Sequence, residues 1–145
     1  MSGLPDVAQE RKEPMSKALV ISANPETGAG KVEVVDWQDK SGLSEHYAAI
    51  GCELVEIAGS GKFGGVPVVV FVDEEGLYRT PGVVNLTACD FLADAMKAAP
   101  MYLFGGGLVG RALVLFDEGS DSRGFSDAEM AKVGAQLSKG GYPVA

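Results

Sequence analysis

Histidine and cysteine are scarce in this 145-residue chain: there is one histidine, His46, and two cysteines, Cys52 and Cys89. With no C-x-x-C pair, a zinc site would have to gather its ligands from afar, so no metal is expected. Both cysteines lie in apolar company (Ile50 and Leu54; Ala88, Phe91 and Leu92) and read as small buried hydrophobes of a reducing compartment. A disulfide requires that the fold bring them close. Positive charge is also short. Twelve basic against 20 acidic residues give a net charge of −8, the wrong sign for direct nucleic-acid binding or for an anionic membrane surface. No apolar run approaches the ~20 residues of a membrane span. Met1–Met15 mixes Asp6, Glu10, Arg11, Lys12 and Glu13 without an apolar stretch, which is not the pattern of a signal peptide. The expected location is the cytoplasm.

Glycine is abundant instead. Twenty of 145 residues is about double the ~7% average. Hydrophobic residues at 46% and charged residues at 22% describe an ordinary globular chain and exclude wholesale disorder. Residues 1–14, polar and with two prolines, are expected to be a loose tail ahead of one domain over 15–145, and Met15 is an alternative start.

Lys17–Ala23 and Lys31–Trp37 are short β-type runs joined by a turn-rich stretch, and they predict a hairpin with a long loop. Leu43–Ile50 is a short helix candidate. Cys52–Ala58 alternates as a strand, and Gly59–Gly65 reads as a flexible loop. Val66–Val72 is nearly continuous in β-branched residues, as a strand buried on both faces would be. Asp73–Gly76 turns the chain, and Leu77-Tyr78-Arg79 reads as a short return strand. Leu86–Ala99 is an amphipathic helix with Asn85 as N-cap and Pro100 as its stop. Leu108–Phe116 is another strand. Ser126 and Glu129 form an S-x-x-E capping box with Phe125 and Met130 at the staple positions, opening a helix to about Ser138. Strands and helices do not alternate regularly. The expected fold is α+β, with a mixed or antiparallel sheet of about five to six strands and two main amphipathic helices.

Several motifs fail on context. Gly105–Gly110 matches G-x-G-x-x-G, but a strand-like run comes next where a dinucleotide site needs a helix N-terminus. Gly30-Lys31 and Gly61-Lys62 lack the Ser or Thr and the upstream glycine of a phosphate loop. Asp117–Asp121 resembles a cation loop, yet Ala128 stands where an EF-hand needs glutamate. His46 could act as a general base, but nothing in the local sequence ties a nucleophile to it, and a surface or half-buried helical histidine is expected. No cofactor is called for.

The segment from Val72 to Ala88 is the one set apart. It places Asp73, Glu74, Glu75, Arg79 and Asn85 between a buried strand and an amphipathic helix, where rigid elements hold a loop. Taken singly, Asp73 and Gly76 make a turn, Glu74 and Glu75 keep it wet, and Asn85 caps a helix. Taken together with Arg111, they are candidate binding residues for a host protein or a small anionic ligand.

The Asp-Glu-Glu-Gly-Leu strand end, the Pro and Asn before an Ala-containing helix, Leu108-Val109-Gly110, the acidic loop and the Ser126-Asp127-x-Glu helix together resemble a domain-of-unknown-function family. That family occurs in small proteins of bacteriophages, plasmids and actinobacteria. The likeness covers roughly residues 15–138. Thr80–Val84 departs from the family's leucine and paired prolines. The resemblance implies a phage or mobile-element accessory protein in a bacterial host cell, and it brings no enzymatic activity with it. The leading expectation is therefore a non-enzymatic binder that neutralises or redirects a host factor, including anti-defence capture of a nucleotide signal. Two alternatives stand beside it: an acidic DNA mimic, and a small hydrolase using clustered carboxylates. A homodimer is a further expectation, with Val66–Phe71 as a candidate subunit sheet edge.

Overall fold

The computed structural model describes residues 16–24, 26–39, 43–52, 54–75, 84–98 and 107–145. Their order is β1 (Ser16–Ile21), β2 (Val32–Trp37), α1 (Ser44–Ile50), β3 (Val55–Phe63), β4 (Val66–Asp73), α2 (Leu86–Met96), β5 (Ala112–Asp117), β6 (Ser122–Arg123) and α3 (Asp127–Lys139). The strands form one antiparallel sheet in the order β2-β1-β5-β4-β3, with β6 pairing β5. The α+β expectation holds, with a third, short helix. The expected tail over residues 1–14, and Leu77-Tyr78-Arg79, fall outside the described residues.

Period-two alternation sends each strand's side chains to two faces. Leu19, Ile21, Val66, Val68, Val70, Val72, Ala112 and Val114 face α2 and α3, and join Phe91, Leu92, Val133 and Leu137 in the larger core. Ala18, Val20, Val69, Phe71, Leu113 and Leu115 face the other way, where Trp37 and Ile50 complete a smaller cluster under α1. β4 is buried on both faces, as its β-branched run predicts. It is an interior strand, paired with β3 on one side and β5 on the other. Val66–Phe71 is therefore not a subunit sheet edge.

Gly59–Gly65 is not a loop. After a register shift between Ile57 and Gly59, β3 continues through Gly59, Ser60 and Gly61, and Gly64-Gly65 turns the chain. Both turn glycines have positive φ, 62° and 82°, as a tight type I′ hairpin requires. Gly61 is there for a different reason: α2 lies so close that a Cβ would stand 2.2 Å from the Ala95 carbonyl oxygen. Lacking a side chain, the strand lets the helix approach.

α2 is shorter than its apolar pattern suggests. It ends at Met96, where Lys97 turns left-handed with φ 56°. β5 likewise starts at Ala112 rather than at Leu108, because Val109 bridges Val84 before the turn at Gly110. α3 carries both halves of the expected capping box: Ser126 Oγ accepts from the Glu129 N–H, and the Glu129 carboxylate accepts from the Ser126 N–H. The two cysteines belong to opposite faces of the sheet and neither is in a disulfide, so they cannot pair.

Candidate functional site

The register sets Phe71 against Leu113, which brings Asp73–Glu75 and Arg111 to the same end of the sheet. Asp73 accepts from the Glu75 N–H at 2.9 Å, an Asx turn, and Glu74 and Glu75 are exposed. Arg111 is exposed beside a shallow depression that Glu33 and Asp36 also line. Arg79 lies outside the described residues. Asn85 does not share their surface: it is fully buried. Its side-chain oxygen caps α2 through the Ala88 N–H, and its amide donates to the carbonyls of Ile21 and Gly110 at 2.9 and 2.8 Å. Three internal bonds occupy Asn85 in tying β1, α2 and the start of β5 together.

The more concave region lies on the α1 face at the opposite end. A cleft of about 530 Å³ is lined by Trp37 and Asp39 from the end of β2, Leu43, Glu45 and His46 from α1, Leu115 from β5, and Glu118, Asp121, Ser122 and Arg123 from the β5–β6 turn. A shallower hollow over Ile57, Val69 and Phe71 adjoins it, sharing Leu43, Asp121 and Ser122. Among the described residues, seven residues of helix are too few to cover this side of the sheet, and the cleft is one of the parts they leave open.

His46 is not the surface or half-buried helical residue that its sequence context suggests. It is only 8% exposed, held edge-on between Trp37 (centroids 5.3 Å apart) and Phe71 (4.8 Å). Neither ring nitrogen has a hydrogen-bond partner among the described residues. Burial pushes the imidazole below its ordinary pKa, while the carboxylates of Asp121, Asp39 and Glu45 pull it partly back. The ring is therefore neutral at pH 7, with one unmet donor and one unmet acceptor.

Around it stand four carboxylates and one guanidinium. Arg123 is already committed. It forks onto Glu129 at 2.9 and 2.8 Å, donates to Glu118 at 3.0 Å and to the Gly124 carbonyl, and lies 3.9 Å over the Phe116 ring. That fork is the main reason the Glu129 carboxyl is held down at about 2 and the Arg123 pKa is raised. Asp39 accepts from the Gly124 N–H and Asp121 from the Ser122 N–H. A carboxylate offers about four lone-pair sites, so these two keep acceptor capacity toward the cleft. No group of three or more His, Cys, Asp or Glu side chains among the described residues is arranged to hold a metal ion.

Composition does not reveal this site. Asp117–Asp121 reads as a wet loop and Glu45-His46 as one turn of a short helix, and only the sheet brings them together. Gly110 leads into β5, so the glycine-rich match does not open a helix. No protein-family model, curated protein or solved structure matches the chain. No helix among the described residues is long and apolar enough to cross a membrane.

Proposed function

We propose that this chain is a non-enzymatic binding protein that acts by occupancy, taking a small molecule into the cleft between α1 and the β5–β6 turn. The observation that carries the reading is the cleft itself, a concave space bounded by α1, β2, β5 and the β5–β6 turn, with His46 buried in its wall and both ring nitrogens without a partner among the described residues. An unmade bond on a buried polar group costs about 1–3 kcal/mol. Both nitrogens lie beneath the surface, so that cost stands in the free protein, offset by the ring's packing against Trp37 and Phe71. The volume, about 530 Å³, falls within the range of small-molecule sites.

Binding is favoured over hydrolysis because Glu74 and Glu75, carboxylates that a hydrolase would have to set apart as acid and base, share one exposed turn. A DNA mimic would want its acids on one face. Asp73–Glu75 and Asp117–Asp121 lie instead at opposite ends of β4 and β5, about 20 Å apart at the rise of a strand. The wider reading, neutralisation of a host factor by a mobile-element protein, rests on the family resemblance. In that setting Asp73, Glu74, Glu75 and Arg111 are the groups a host protein would meet.

Native mass spectrometry of the protein purified from its own cells tests this. The expected result is a small-molecule adduct on the wild type that is absent from Leu115→Trp, whose indole fills the cleft. Bare mass on both proteins, or the same adduct on both, counts against the cleft. Release of a chemically altered compound would favour the hydrolase.

A further inference from the structure

We infer that α1 is a pH-operated cover: in mildly acidic solution His46 takes up a proton, its ring leaves the slot between Trp37 and Phe71 for the carboxylates beside it, and the helix lifts from the sheet. The inference stands apart from whatever the cleft takes.

The helix is held at few points. Of its seven residues two are buried, His46 and Ile50, four apart on one face. Leu43 stands at the N-cap position and its side chain caps nothing, and the last turn carries no basic residue. The C-terminal end is closed by the left-handed Gly51, whose N–H donates to the Tyr47 carbonyl at 2.7 Å. A helix this short has little stability of its own, so docking through two anchors keeps it in place.

One of those anchors can change charge. The His46 ring meets Trp37 of β2 and Phe71 of β4 edge-on, and neither nitrogen has a hydrogen-bond partner among the described residues. The neutral ring leaves one donor and one acceptor unmet. The imidazolium would bring a full charge and two unmet donors into the same apolar slot. The slot therefore selects the neutral ring.

The charged ring has a better place close by. The cleft beside it is lined by Glu45 from α1 itself, Asp39 from beyond β2, Glu118 and Asp121 from the β5–β6 turn and Arg123 from β6, while β5 contributes the uncharged Leu115. Arg123 is committed to Glu118 and Glu129. Asp39 and Asp121 each accept one described backbone N–H and keep lone pairs for an imidazolium. Reaching them takes the ring out from between Trp37 and Phe71, and the helix loses one of its two anchors. Burial pushing the His46 pKa down against the pull of Asp121, Asp39 and Glu45 agrees with this opposition. Two protonation states of one side chain prefer two positions, which is the bistability a switch requires.

The chain has one histidine and one tryptophan, so both ends of the motion can be read without ambiguity. The full chain is titrated from about pH 8 to about pH 4.5. Trp37 emission should move to longer wavelength in one step below the ordinary histidine value of about 6.5. The His46 ring resonances should titrate with the same midpoint, and the far-ultraviolet strand signal should hold. Amide exchange of Tyr47 and Gly51, corrected for its intrinsic pH dependence, should speed at least about tenfold between pH 7 and pH 5 while β4 and β5 stay protected. His46→Phe keeps a ring in the slot and takes no proton, so it should show neither change. Asp39→Asn with Asp121→Asn should move the step to lower pH.

A Trp37 step that persists in His46→Phe overturns the switch, and so does the absence of any step. A step accompanied by loss of the strand signal is unfolding of the whole chain and overturns it too. Where the phenylalanine variant folds poorly, the unaltered protein decides: a ring that titrates without a Trp37 response, or with a different midpoint, is incompatible with a lifting helix.

Discussion

On one face of the sheet α2 and α3 press nineteen buried residues into a continuous core; on the other, a helix of seven residues covers part of a cluster of eight. The first face is closed by aromatic packing. Phe63 stacks on Phe91 at 4.2 Å, and Tyr142 meets both rings edge-on. Burial there, with Asp94 and Asp90 nearby, pushes the Tyr142 hydroxyl well above its ordinary pKa. The second face has a buried imidazole with no hydrogen-bond partner among the described residues and a cleft beside it. The two faces divide the labour: one supplies the stability that lets the other keep an open, under-satisfied surface.

The contrast can be broken by substitution. The largest effect should come from Phe91→Ala, which opens a cavity between α2 and the sheet and should cost roughly 3–5 kcal/mol in urea unfolding. Phe71→Ala on the α1 face should cost less, since that residue already borders open space. Equal costs would abolish the distinction.

Next is Gly61→Ala. Its methyl would stand against the Ala95 carbonyl, and displacing α2 should cost about 1–3 kcal/mol. Gly65→Ala tests something else: nothing stands within 4 Å there, but φ is positive, so only backbone strain is felt. Ser126→Ala removes half of the capping box and should cost about 1 kcal/mol, visible as a lower thermal midpoint.

The smallest change is on the α1 face and has the opposite sign. His46→Phe keeps a ring between Trp37 and Phe71 and removes two unmet nitrogens, so stability at pH 7 should hold or rise by up to about 1 kcal/mol. The same variant has a signature in pH. The folded-state pKa of His46 lies below the ordinary 6.5, so between those two values the unfolded chain binds a proton that the native state does not. Stability should therefore be level above about 6.5 and fall as the pH drops through that window. The falling component should be missing from His46→Phe. Identical pH–stability slopes for the two proteins between pH 5 and 6.5 would show that His46 is not held neutral by burial.

Much of the frame is legible in the residues. β-Branched runs mark β1, β4 and β5, and the Ser126–Glu129 box marks α3 almost to the residue. Asn85 is legible as a cap, because its oxygen serves the N–H three positions on. Its two further bonds, to Ile21 and Gly110, are long-range and leave no local trace. The glycines of β3 mislead, since a strand and a loop share that composition until a helix is seen lying on it. The Asp73–Glu75 segment is conspicuous as a string of letters and ordinary as a turn. The cleft is the reverse: Trp37 and His46 come from one stretch of the chain, Leu115 and Asp121 from another far along it, and each is inconspicuous singly.

Chain order alone settles whatever local forces decide: the charge of −8, the period of each strand, the caps and the number of helices able to bury a face. Only the folded arrangement decides which carboxylates share a space with the one histidine, and that Arg123 among them is already occupied. The physical reason is range. Periodicity and capping act over a few residues, whereas desolvation and Coulomb interaction act through space, between groups that the antiparallel order of the sheet brings near.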